Sequence, residues 1–292
     1  MPQPSHDILQ RFMFPELACR GEIVRLTHTW EAVLARASYP AAVQSILGEA
    51  LAATALLSAT IKFDGSLSLQ INGKGSLRML LCQARSGGGL RGLARVEKDL
   101  HAQEQPLFAQ ARLAITIETG SPAERYQGVV DMADAQVSHA LETYFERSEQ
   151  LATRLWLTAD DEQCAGILLQ RLPDYASQDD TDAWRRLCML TDTIKADELI
   201  RLPGLQILRR LYNQETVQLL DSQHIQFGCT CSRERTAAML IGLGEDEVQS
   251  ILQDESEVDV RCEFCNAQYR FDASAVRALF SPARTSGRSP KG

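Results

Sequence analysis

The stretches GCTCSRER (residues 228–235) and RCEFCNAQY (residues 261–269) decide how the C-terminal part of this chain folds. They hold four of its 8 cysteines in two short pairs, Cys229 and Cys231 as Cys-X-Cys and Cys262 and Cys265 as Cys-X-X-Cys, with 30 residues between the pairs. Tetrahedral zinc takes four soft ligands at about 2.3 Å, and two such pairs joined by a modest loop supply them with little strain. The first pair has one intervening residue, where ordinary zinc ribbons have two or more. Domains near ~40 residues usually need a metal or disulfides to fold, and the segment from Cys229 to Asp272 is about that small. A structural zinc contributes roughly 10–16 kcal/mol, comparable with the ~5–15 kcal/mol that holds a typical domain together, so loss of the ion is expected to unfold this segment. On spacing alone, a stapled mini-domain without any regulatory role is an equally good reading.

The remaining cysteines, Cys19, Cys82, Cys164 and Cys188, stand singly in apolar surroundings and read as buried structural thiols. His224 reads as a surface histidine, since four thiolates already close a zinc shell. The 292 residues are 45% hydrophobic, enough for one large core or two unequal ones. The opening MPQPSHDILQ lacks the basic and apolar regions of a secretory signal, and the apolar run from Ala50 to Ile61 is too short to span a bilayer. A cytoplasmic location is therefore expected, where clustered thiols bind metal or do redox work more often than they form structural disulfides. The formal charge of −8 argues mildly against nucleic acid or an anionic membrane as the main partner.

Hydrophobic periodicity divides the rest. Val43, Ile46, Leu47, Ala50, Leu51, Leu57 and Ile61 recur at helical spacing, with Pro40 as a first helical position. Glycine-punctuated runs follow, LSLQI, LRMLL, LRGLARV and LAITIE, and read as strands; a second helix fits residues 135–147, and RLWLTA and AGILLQRL read as further strands. The expectation is an α+β domain over residues 1–175, with helices on a mainly antiparallel sheet. Residues 176–228 read as a helical linker too short to own a core, with Trp184, Leu187, Leu205, Leu208 and Leu211 marking apolar stripes and VQLL and HIQF a small hairpin. A zinc-binding domain is expected over 229–280 and a disordered tail over 281–292.

Oxidising two ligand thiolates to a disulfide removes both from a metal at once. A Cys-X-X-Cys pair meets disulfide geometry, which needs Cα atoms about 4.4–6.8 Å apart, whereas Cys-X-Cys closes only a strained ring of the readily reduced kind. Four such thiols describe a sensor if something responds to the unfolding. Two other classes compete. A zinc-ribbon nucleic-acid binder wants a basic face, but residues 229–272 carry 10 acidic against 4 basic side chains. A thiol oxidoreductase using Cys262 and Cys265 wants a Cys-X-X-Cys that opens a helix after a strand, which the sequence does not display.

FGCTCSRER paired with CEFCNAQYRF resembles the zinc centre of the 33 kDa heat shock protein family, redox-regulated holdase chaperones of the bacterial cytosol. The likeness extends through SLSLQINGKGSL, GLRGLARV, RYQGVVDM, YFERSEQLATRLWL and AGILLQRLP. The chain departs from the family pattern at Ser76 and Ala152, where proline is expected, and at Ala165-Gly166, where a glycine pair is expected. The resemblance implies that Cys229, Cys231, Cys262 and Cys265 bind zinc in the reduced protein. It also implies that oxidation pairs Cys229 with Cys231 and Cys262 with Cys265, releases the metal and loosens the linker. Unfolded client proteins would then be held without ATP by a protein that is not an enzyme, and the activated form would be a homodimer.

Overall fold

The alanine-rich stretch 41–60 forms the helix around which most of the chain is built. The computed structural model describes residues 7–61, 64–97, 106–119, 125–173 and 182–281. Contacts divide the chain into two compact units, Met1–Cys229 and Thr230–Gly292.

In the first unit, β1 (Asp7–Phe14) and β2 (Cys19–Leu26) lead into α1 (His28–Leu34) and the long α2 (Ala41–Thr60). Next come β3 (Gly65–Asn72), β4 (Leu77–Arg85), β5 (Gly89–Val96), β6 (Arg112–Thr119) and β7 (Arg125–Asp131). After α3 (Val137–Tyr144) and a π-turn over Phe145–Glu149, β8 (Thr153–Ala159) and β9 (Cys164–Arg171) follow, then α4 (Ala183–Thr191), α5 (Ala196–Arg201), α6 (Gly204–Leu211) and β10 (Gln218–Phe227). The ten strands form one sheet in the order β7-β6-β3-β4-β5-β10-β1-β2-β9-β8, antiparallel throughout except where β10 runs parallel to β5. Pro40 caps α2 from extended backbone instead of entering it. Strands β1, β2 and β7 extend the sheet beyond the runs legible from alternation.

One face of the sheet packs on α2, whose Leu47, Leu51, Leu56 and Leu57 are fully buried with Leu9, Leu69, Leu80, Ile115 and Leu168. α2 is longer than the 50–61 run. By length and composition it could cross a membrane, but the sheet already covers its apolar surface. The opposite face of β1, β2 and β9 forms a second core, in which Phe12, Phe14, Ile23, Ile167 and Leu169 meet Leu187, Leu199, Ile200, Leu208, Leu211 and Tyr212 of the helices after residue 182. β9 is thus buried on both sides, which is why its sequence is a nearly unbroken apolar run.

The stretch around Asp221–Gln223 is no hairpin turn: β10 continues through it, paired there with β1, and reaches β5 only at Gln226 and Phe227. Turn-forming side chains are tolerated there because β10 carries a bulge at this point, Leu220 and Asp221 together facing Arg11 between the pairs Gln10–Ser222 and Phe12–Leu219, and Arg11 lies 4.0 Å from Asp221. Where the family pattern carries proline, the Ser76 N–H donates to the Pro106 carbonyl (3.2 Å), a bond proline cannot make. Ala165 fits its methyl into the second core, whereas a Cβ on Gly166 would lie 2.8 Å from Leu157 and 2.9 Å from Leu56.

In the second unit, α7 (Arg233–Leu243) turns at Gly244, whose φ of +97° suits glycine, into α8 (Glu245–Asp254). The hairpin β11 (Glu257–Arg261) and β12 (Gln268–Asp272) and the helix α9 (Ala273–Phe280) complete it. Its core is small: Leu240, Val248, Val258, Phe271 and Val276. The expected boundary near 175 and the expected tail beyond 281 lie outside the described residues.

Candidate metal centre

Local structure delivers each sulfur. The last residues of β10 run along β5, with Gln226 N–H donating to Gly88 O (3.0 Å) and Gly228 N–H to Leu90 O (2.9 Å), so the strand ends with Cys229 beside Arg91. A Cβ on Gly228 would lie 3.0 Å from Gly89 Cα, so this close approach favours glycine. Cys231 immediately precedes Ser232, whose side chain accepts from Arg235 N–H (3.2 Å) and caps α7. Cys262 and Cys265 sit in the connection of the β11–β12 hairpin, closed by Asn266 N–H to Cys262 O (2.8 Å) and Cys262 N–H to Ala267 O (2.9 Å), with Asn266 left-handed at φ 61°.

The sulfurs of Cys229, Cys231, Cys262 and Cys265 all lie within 4.8 Å of one another, and Cys231 Sγ is 3.2 Å from Cys265 Sγ. Four ligands at about 2.3 Å around a tetrahedral ion have edges of about 3.8 Å, which these separations bracket. All four side chains are half-buried and reduced. The set could hold a metal ion, and an all-thiolate set suits zinc. Two polar groups sit behind the sulfurs. Arg91 Nη1 donates to Cys229 Sγ (3.3 Å) and the Tyr269 hydroxyl donates to Cys231 Sγ (3.1 Å). The bond to Cys231, with burial second, pushes the Tyr269 hydroxyl up to about 12, so it remains a donor at neutral pH. Neither residue was singled out from the sequence, because only the tertiary structure brings Arg91 to a sulfur 138 positions away.

The other four thiols are buried. Burial pushes Cys19 up to about 11 and Cys188 up to about 12, and raises Cys82 and Cys164 well above the usual thiol range, so all four stay protonated. His224 is exposed on β10 and does not belong to the sulfur group. Of the linker side chains, Leu187, Leu208 and Leu211 are buried in the second core and Trp184 packs against it. Leu205 instead stands 45% exposed.

Comparison with known proteins settles the relationship. A family model described as Hsp33 protein matches residues 7–272. The chain belongs to the Hsp33 family. The 33 kDa chaperonin of Nitrosococcus oceani is 46% identical over 278 residues, covering 95% of each chain. That of Shewanella oneidensis is 43% identical over 95% of this chain and 96% of its own, and that of Vibrio cholerae 41% identical over 97% and 98%. The crystal structure of the 33 kDa chaperonin from Thermotoga maritima superposes with a TM-score of 0.79 at 20% identity, over 94% of this chain and 97% of that one, and supports the fold. This Hsp33 family member is therefore a chaperone-family protein with a clustered four-cysteine centre.

Proposed function

We propose that this protein is a redox-regulated, ATP-independent holdase of the bacterial cytoplasm, quiet when reduced and able to bind unfolded clients when oxidised. The observation that carries the reading is the convergence of the four sulfurs within 4.8 Å. Cys229, Cys231, Cys262 and Cys265 would hold one zinc, which would supply a four-way cross-link to a unit whose own core is only a handful of side chains.

Peroxide supplies the oxidant. One thiolate attacks a peroxide oxygen, the O–O bond breaks, hydroxide leaves, and a sulfenic acid remains. The neighbouring thiol then displaces the sulfenic hydroxyl as water, so each disulfide consumes one peroxide and two electrons pass from sulfur to oxygen. Pairing Cys229 with Cys231 and Cys262 with Cys265 removes all four ligands. The linker responds. Its helices hold their apolar side chains against β1, β2 and β9 in the reduced state, and once loosened that surface meets exposed apolar surface on clients, at about 25 cal/mol for each Å² removed from water. The oxidised form dimerises, acts stoichiometrically and turns nothing over.

Aggregation of thermally unfolded citrate synthase, followed by light scattering with reduced and peroxide-treated protein in parallel, tests this. Suppression by the oxidised form alone is expected; equal behaviour of the two forms would overturn the reading.

A further inference from the structure

Arg91 lies directly opposite Gln83 in the β4–β5 ladder, and Gln83 Oε1 accepts from two of its nitrogens, Nε (3.0 Å) and Nη2. Gln83 is itself fixed, its Nε2 donating to Ser68 Oγ (2.9 Å) on the next strand, β3. Gln83, itself fixed by Ser68 on the next strand, thus holds the guanidinium in place, with Nη1 aimed at Cys229 Sγ 3.3 Å away. A side chain anchored in this way loses little freedom on making one more bond, and its planar fork fixes the direction of donation.

We infer that Arg91 is a positioning residue for the metal centre: it sets the rotamer of the Cys229 sulfur and supplies a fixed positive charge beside the first of the four thiolates. The inference rests on the zinc-switch reading above. Four thiolates around a divalent ion leave a net charge of −2, and a guanidinium hydrogen-bonded to one sulfur offsets part of it. A disulfide sulfur is neutral and a far weaker acceptor, so oxidation of Cys229 also severs this link to the sheet. Retention of the ion and attack on Cys229 are thereby both under the control of a residue on β5.

The test uses the full-length, zinc-loaded, reduced chain. Zinc affinity is measured by competition with a chromogenic chelator, and alkylation of each cysteine is mapped by mass spectrometry in wild type, R91M, R91K and Q83L. Groups behind metal ligands typically change affinity by 10- to 100-fold, so R91M should bind zinc at least about 10-fold more weakly. Cys229 should be the thiol whose alkylation accelerates most. R91K, which keeps the charge but not the fork, should recover part of the loss, and Q83L, which removes the two bonds that Gln83 makes to the guanidinium, should shift both readouts in the same direction by less. Thermal unfolding of the first unit should not move. Wild-type affinity and alkylation order in R91M would overturn the inference while leaving the zinc reading intact, as would uniform acceleration of all four thiols with a lowered melting temperature. If R91M fails to fold, Q83L decides alone, and an unchanged Q83L overturns the proposal. A wild-type chain that binds no zinc overturns both readings.

Discussion

The Tyr212 hydroxyl lies 2.6 Å from Thr191 Oγ1 inside the second core. Thr191 spends its own proton on the Leu187 carbonyl at 2.7 Å, so the tyrosine is the donor. The bond joins the end of α4 to the residue that follows α6, and Arg186 adds a second tie to Glu215 at 2.7 Å. Both hold the segment whose release the proposed switch requires.

Replacing Tyr212 with Phe removes that donor and leaves the Thr191 oxygen short of a partner, at a cost of about 1–2 kcal/mol. Y212F should show faster amide exchange across residues 183–212 in the reduced protein and measurable suppression of citrate synthase aggregation before any oxidation. Unchanged exchange in this segment would show that the bond contributes nothing to its docking.

Single Cys→Ser changes at Cys229, Cys231, Cys262 or Cys265 should each abolish stoichiometric zinc, read by metal analysis of the purified reduced protein. Stripping zinc with a chelator should unfold residues 230–280, seen as lost amide protection at Leu240, Val248, Val258 and Phe271, because five buried side chains cannot offset the ordering entropy alone. The first unit should keep its protection.

Tyr269→Phe deletes the donor to Cys231 and keeps the ring. Y269F should retain zinc but bind it roughly 10-fold more weakly, and Cys231 should become the most accelerated thiol in alkylation mapping.

Glu22 makes stability depend on pH. It is 2% exposed, and burial, opposed by Arg20 and Arg11, pushes its carboxyl up to about 7 from an ordinary 4.5. A carboxyl whose folded pKa is raised binds its proton more tightly when folded, so its burial is tolerated below pH 4.5 and becomes progressively destabilising as pH rises to 7. The first unit should lose about 3 kcal/mol of denaturant stability over that window on this account. E22Q should flatten the slope and be the more stable protein at pH 8. A slope unchanged in E22Q would assign it to other groups, of which Glu49, also raised to about 7 chiefly by burial, is the first candidate.

The sequence by itself determined the features carried by neighbours in the chain. Two short cysteine pairs announce a ligand set because spacing alone limits where their sulfurs can point, and α2 announces itself through one repeating apolar pattern with no interruption. The single apolar run of β9 likewise marks a strand buried on both sides. Tertiary structure alone decided the rest. Asp221, Ser222 and Gln223 have turn chemistry, yet the chain runs on extended through them because Ser222 and Gln223 pair with Gln10 and Leu9 of β1, and Gln226 and Phe227 further along pair with β5. Arg91 and Tyr269 look like ordinary surface residues until the sheet and the hairpin set them against sulfurs 138 and 38 positions away. Local pattern reports what each segment prefers; which charge meets which thiol depends on long-range pairing that no window of sequence contains.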